Sequence, residues 1–196
     1  MDISKVKVKG TWRDVADVAR TTIGKEEGEG SVSDSWKKRM LLAEHSPIRL
    51  LWFRWKWKGI KYWVSVHLVR HWLGIVHFVK SSRSDRTGVP RDELPQNHAV
   101  NHECDANAQA LINISRRRLC KQASLETQEA WKLVKQEVAV TDPIMASVMV
   151  PDCIYRGGIC REMNCCGWIR TQEAQNMWEE YNTYQELAGR KLSSFS

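Results

Sequence analysis

Between Leu51 and Trp57 the chain alternates strictly. Leu51, Phe53, Trp55 and Trp57 fall on one side, and Arg54 and Lys56 fall on the other. A period of two with aromatic residues on one face specifies a half-buried β-strand whose apolar side must be covered by another layer. Each aromatic ring brings about 150–250 Å² of surface to bury, so this strand commits the fold to a thick core on one side of a sheet. Five of the ten tryptophans (Trp52, Trp55, Trp57, Trp63 and Trp72) lie within these and the next few residues. Rings of this size serve a core or a subunit interface equally well.

The flanking segments supply helices to cover that strand. Val15, Val18 and Ala19 recur at helical spacing after Thr11, which predicts a helix over 11–22. Ser33 caps a second helix to about Glu44, broken by His45-Ser46-Pro47 because proline excludes its predecessor from the helical region. Gly59 ends the tryptophan strand, residues 61–72 fit a helix, and Leu73–Val79 reads as a second strand, expected antiparallel to the first. Residues 87–100 carry Gly88, Pro90 and Pro95 and read as a long loop. Further helices are expected over 104–119, from Ser124 to about Val138, from Asp142-Pro143, and from Thr171 to about Gly189. The fold class is therefore α+β, a small antiparallel sheet packed with several helices. The length of 196 residues suits one domain over 1–196 with a full-sized core.

The formal net charge of +7 favours anionic partners such as nucleotides and phosphorylated cofactors. Lys and Arg are distributed without a long basic tail, which argues for pockets over a nucleic-acid arm. No apolar run approaches the ~20 residues that cross a bilayer, and Met1-Asp2-Ile3-Ser4-Lys5 lacks the pattern of a signal peptide. The expectation is a cytoplasmic protein with its six cysteines reduced. Cys153, Cys160, Cys165 and Cys166 lie in an irregular segment, 151–167, and thiolates in such loops can hold zinc tetrahedrally. Their spacing lacks paired Cys-x2-Cys knuckles, and buried thiols also pack well without a metal.

The stretch His67-Leu68-Val69-Arg70-His71-Trp72, followed by His77 and Lys80-Ser81-Ser82-Arg83-Ser84-Asp85-Arg86, combines hydroxyls with guanidinium forks, a composition suited to phosphate. Four segments in order resemble the flavin-dependent thymidylate synthases. Glu44-His45-Ser46-Pro47-Ile48-Arg49 is similar to that family's His-x-Ser/Thr-Pro-x-Glu-His turn. His67 to Trp72 resembles the Gln-Leu-Val-Arg-His-Arg that opens its signature, and Ser81-Ser82-Arg83 stands where the signature closes with Ser-x-Arg. Asn107 through Asn113 and on to Arg118 is similar to its Asn-Ala-Arg-Ser-Leu-Met-Asn helix. The resemblance spans roughly residues 43–131. Several positions depart from it: Trp72 replaces a basic residue, Arg49 a glutamate and Gln109 an arginine. Ile75, His77 and Phe78 stand where the family has Ser, Asn and Glu, and the segment between the signature and the Asn-Ala helix is shortened.

The resemblance implies C5 methylation of dUMP to dTMP by FAD, with methylene-tetrahydrofolate and NADPH as co-substrates, in a homotetramer. It assigns Arg118 to the uracil ring as the catalytic residue, with His67, Arg70, Ser82 and Arg83 on the substrate, and Arg86 on the same loop is a further phosphate donor. Ser46, Arg70, His71, Trp72, Asn107 and Asn113 are assigned to the flavin. Charge stabilisation of an electron-rich pyrimidine by a fixed cation is the physical need behind the Arg118 role. Related reactions, such as hydroxymethylation of dUMP or dCMP, are the alternative. A non-catalytic nucleotide- or nucleic-acid-binding relative is a further one.

Overall fold

The structure is a computed structural model and describes residues 1–183. Two short strands, β1 (Asp2–Ile3) and β2 (Lys7–Lys9), precede helices α1 (Trp12–Thr21) and α2 (Asp34–Leu42). The tryptophan strand β3 (Trp52–Lys61) runs directly into α3 (Tyr62–Val69), and β4 (Ile75–Val79) follows. After a short helix α4 (Ser84–Thr87) come strand β5 (Ala99–Asn107) and helices α5 (Ala108–Arg118) and α6 (Leu125–Thr141). Two short helices, α7 (Pro143–Ser147) and α8 (Asp152–Tyr155), and then α9 (Gln172–Asn182) complete the described chain. The part of the expected last helix beyond residue 183 lies outside the described residues.

The helix ends follow the chemistry of their caps. Thr11 and Asp14 form a reciprocal capping box at α1, and the Ser33 hydroxyl accepts from the Trp36 N–H at α2. Asp142 accepts from the Met145 N–H at the start of α7, and also from the Trp12 indole N–H at 2.7 Å. The latter bond ties the first helix to the junction of α6 and α7, 130 residues further along the chain.

The sheet differs from expectation in its centre. β3 and β4 do not pair with each other; each runs antiparallel to β5, in the order β1-β3-β5-β4, with β2 also on β3. Residues 99–107, expected as loop and helix, form this central strand, and the helix begins only at Ala108. The cause is a concealed alternation. Val100, His102, Cys104 and Ala106 are all buried, but three of the four are weak apolar signals, so the period of two is faint. Asn107 then ends the strand and caps α5, its side chain accepting from the Ala110 N–H at 2.9 Å. Nor does Gly59 end β3. With φ +70° it sits in an irregularity between Trp57 and Ile60, beyond which pairing resumes at Ile60–Val100 and Lys61–Ala99.

The tryptophan face is core. Phe53, Trp55 and Trp57 are essentially inaccessible, and Trp55 meets Trp57 and Trp131 of α6 edge-on at 5.4 and 5.8 Å between centroids. The Trp57 indole donates to the Ala130 carbonyl and the Trp131 indole to Ser115 Oγ, at 3.1 and 2.8 Å. These rings are therefore consumed inside the chain and are not surface for a subunit interface, whereas Trp72 remains 73% exposed. Lys38 is buried beneath α7, donating to Ser147 Oγ at 2.6 Å and to the Glu180 carbonyl. Burial lowers its pKa to about 8, against the opposing effect of Glu180. No described helix is long and apolar enough to cross a membrane.

Candidate active site

The end of α3 meets the end of α5. Hydrogen bonding from the helix leaves Arg70 exposed at the α3 C-cap and turns His71 back towards Arg118 on the last turn of α5. Arg118 Nε donates to His71 Nε2 at 2.8 Å, and its Nη2 donates to the His67 carbonyl at 2.7 Å. Two basic segments some fifty residues apart are thereby locked together. Because His71 Nε2 accepts, the ring is held neutral. Burial, then the Arg118 charge, His77 and Arg117, push its pKa down to about 4. The His67 ring is pushed down as well, by burial and by Arg118 and Arg70.

Arg118 has no carboxylate partner among the described residues, although it is half-buried. Burial and the charges of Arg70 and Arg117 lower its pKa. A desolvated cation without a counter-ion is costly unless an anion or polar ligand arrives, which marks such a group as a binding candidate. Its two neighbours in Arg116-Arg117-Arg118 are spoken for. Arg116 pairs with Glu44 and stacks on the Tyr155 ring at 3.4 Å, and the exposed Arg117 lies 3.6 Å from Glu162. His71, Arg117 and Arg118 line a cleft of about 240 Å³ together with Cys120, Gln122 and Glu162. Cys120 stood out in the sequence only as a further thiol available to the cysteine cluster, and Gln122 and Glu162 carry no motif that singles them out.

The other sequence-derived candidates are distributed. Asn113 belongs to a separate polar cluster outside the cleft lining, where its Oδ1 accepts from Arg116 at 3.2 Å and from Gln109 at 3.4 Å, and Gln109 also reaches Glu44. Glu44 is the only described non-glycine residue with positive φ, at 51°. Asn107 is nearly buried and employed as the α5 cap, with Gly74 packed against its side chain: a Cβ on Gly74 would stand 2.7 Å from Asn107 Nδ2. Ser46 and Trp72 are exposed. In the Ser/Arg loop, Ser82 Oγ bonds His98 Nε2 at 3.1 Å, Arg83 forks onto Asp85 with two bonds of 2.9 Å, and Arg86 is exposed.

In the cysteine-rich segment, Cys153, Cys160 and Cys166 line one small cavity with Cys120, but their sulfurs are not drawn into a common coordination sphere. Among the described residues, the one group whose ligating atoms converge within coordination reach is His77, His102 and Cys104.

The fold is similar to that of solved flavin-dependent thymidylate synthase structures. Superposition on thymidylate synthase X from Helicobacter pylori with FAD and dUMP gives a TM-score of 0.60 over 70% of this chain and 93% of that one, at 15% identity. A second structure of that enzyme with FAD and dUMP gives 0.62, covering 76% of this chain and 100% of that chain, again at 15% identity. The UMP/dUMP methylase PolB from Streptomyces cacaoi, bound with 5-Br dUMP, gives 0.58 over 75% and 94%, at 13% identity. No protein-family model matches the chain, and no curated protein matches it by sequence.

Proposed function

We propose that the chain is a flavin-dependent enzyme modifying C5 of a pyrimidine nucleotide, with dUMP as substrate and dTMP as product. The observation that carries this reading is the Arg118–His71–His67 junction. Two segments that resemble the family's substrate and flavin motifs meet in space, on a fold shared with enzymes whose structures contain FAD and dUMP.

The residues present fit such ligands. Arg118 offers a half-buried guanidinium with no carboxylate partner among the described residues, held rigid by two hydrogen bonds, and a fixed cation beside the uracil carbonyls stabilises charge developing on the ring. Neutral His71 keeps Arg118 oriented without competing for its charge. Arg70, exposed at the end of α3, supplies a guanidinium for a diphosphate, and Trp72 supplies an exposed indole for stacking. Ser82, Arg83 and Arg86 supply phosphate donors on a loop. Ser46 and Asn113 offer hydrogen-bonding groups, while Asn107 acts through the cap that aims α5. Bound FAD would supply the redox chemistry, with methylene-tetrahydrofolate as carbon source and NADPH as reductant.

A cleft of about 240 Å³ is below the roughly 300–1,000 Å³ of pockets that enclose a drug-sized ligand. Its small size supports the reading of a homotetramer in which a second copy completes each site. A cytoplasmic location belongs to the same reading.

The test is FAD loading followed by dUMP titration. The expected result is a yellow protein whose flavin absorbance responds to dUMP and which forms dTMP when the folate and NADPH are added. Protein that cannot be loaded with FAD would remove the proposal. Product carrying a hydroxymethyl group would move it to the related reaction.

A further inference from the structure

Behind the α3–β4 turn, on the inner face of the sheet, three ligating side chains close on one point. His102 and Cys104 are two residues apart on β5 and so share a face, and His77 on β4 is the register partner of Cys104. His77 Nδ1 lies 2.9 Å from His102 Nε2, and Cys104 Sγ lies 3.2 and 3.3 Å from those two nitrogens. His102 and Cys104 are wholly buried and His77 is partly so.

The outward nitrogens are also accounted for. His77 Nε2 lies 2.6 Å from the His71 carbonyl, which can only accept, so Nε2 carries the hydrogen and Nδ1 turns a lone pair inward. His102 Nδ1 lies 2.9 Å from Ser65 Oγ. An oxygen partner on the far nitrogen of each imidazole is the arrangement that fixes tautomer and ring orientation for metal-bound histidines. The neighbouring carboxylates, Glu103 and Asp105, alternate to the other face and pair with Lys56, Arg54 and Lys9. The donor set is thus one sulfur and two nitrogens without oxygen, which selects zinc over magnesium or calcium. Zinc bonds of about 2.0–2.3 Å at tetrahedral angles place donors about 3.3–3.6 Å apart, so binding widens the triangle by only a few tenths of an ångström.

We propose that His77, His102 and Cys104 bind one zinc ion, which fastens edge strand β4 to β5 and leaves a fourth position for water or an added ligand. On binding, the Cys104 S–H bond gives its proton to solvent and a sulfur–zinc bond forms, with no change of oxidation state. Through the His77–His71 bond the ion also braces the residue that orients Arg118. The site stands independently of the nucleotide reading.

The full chain, freed of metal by a chelator and re-dialysed against zinc, should retain one zinc per chain by elemental analysis. Cobalt in its place should give a thiolate-to-metal charge-transfer band and visible bands of tetrahedral intensity. Cys104→Ser should lose both. A triple variant, Cys160→Ser with Cys165→Ser and Cys166→Ser, should keep them, and it answers the question even where Cys104→Ser does not fold. Ser65→Ala should weaken zinc about 10- to 100-fold by removing the outer partner of His102. No retained zinc in the unmutated chain, loss of the cobalt band from the triple variant, or unchanged affinity in Ser65→Ala would each overturn the site. The first of these leaves the three side chains as a hydrogen-bonded cluster.

Discussion

Two regions rich in arginine behave in opposite ways. At the α3–α5 junction, Arg118 is half-buried, bonded to His71 and His67, and forms no ion pair with a carboxylate among the described residues. In the Ser/Arg loop, Arg83 is 63% exposed at its side chain and folded onto its own neighbour, Asp85. In sequence the loop has the stronger phosphate-binding composition; in space the junction has the positioned charge. The difference teaches that density of guanidinium groups does not locate a site. What does so is a cation whose hydrogen bonds are fixed by the scaffold while its charge is left uncompensated.

The comparison breaks most decisively on Arg118→Ala. Removing a preorganised cation from a developing charge costs about 10²–10³ in turnover, and flavin binding should largely survive. Steady-state assay with flavin titration checks this, and a loss below tenfold would put the chemistry elsewhere. Acid sharpens the contrast next. The folded pKa of His71 is about 4 and its unfolded value 6.5, so the unfolded chain takes up the proton first. The stabilisation is fully present above pH 6.5 and fades as pH falls towards 4, by about 3 kcal/mol at most from this group and by about 2 kcal/mol once solvent screening of the half-buried ring is allowed for. Denaturant melts of His71→Gln should show that much less acid dependence than the parent.

Asn107→Ala tests how the junction is aimed. Losing the α5 cap should cost about 1 kcal/mol in chemical denaturation and raise KM more than it lowers kcat. The smallest effect on stability is expected at the loop, where Arg83→Ala removes only an exposed ion pair and should shift unfolding by less than about 0.5 kcal/mol. Its informative readout is affinity: dUMP should weaken while uridine, which lacks the phosphate, does not. Equal weakening of both would deny the loop any phosphate role.

The sequence was legible where one physical signal dominated. The Leu51–Trp57 alternation and the Thr11 and Ser33 caps appear in the structure where their chemistry put them, and the apolar run over Leu73–Val79 forms a strand over Ile75–Val79. It was misread where two signals overlapped. Around Cys104 the helical spacing of Ala108, Leu111 and Ile112 was extended backwards over a strand whose inward residues are histidine, cysteine and alanine. At Gly59 a residue able to stop a strand instead let it bulge and continue. Glu162 and Gln122 in the cleft left no trace in the linear pattern, because their relevance lies only in what they stand beside.

By itself, then, the sequence determined the local periodicities, the caps, the one-sided aromatic strand and a set of basic motifs in a recognisable order, all of which depend on residues near one another along the chain. Only the tertiary structure decided that β5 would lie between β3 and β4, that Arg118 rather than Arg83 would be the braced cation, and that His77, His102 and Cys104 would meet. Strand order and side-chain convergence depend on which distant surfaces bury one another, and that is a property of the packed core that no short window of sequence contains.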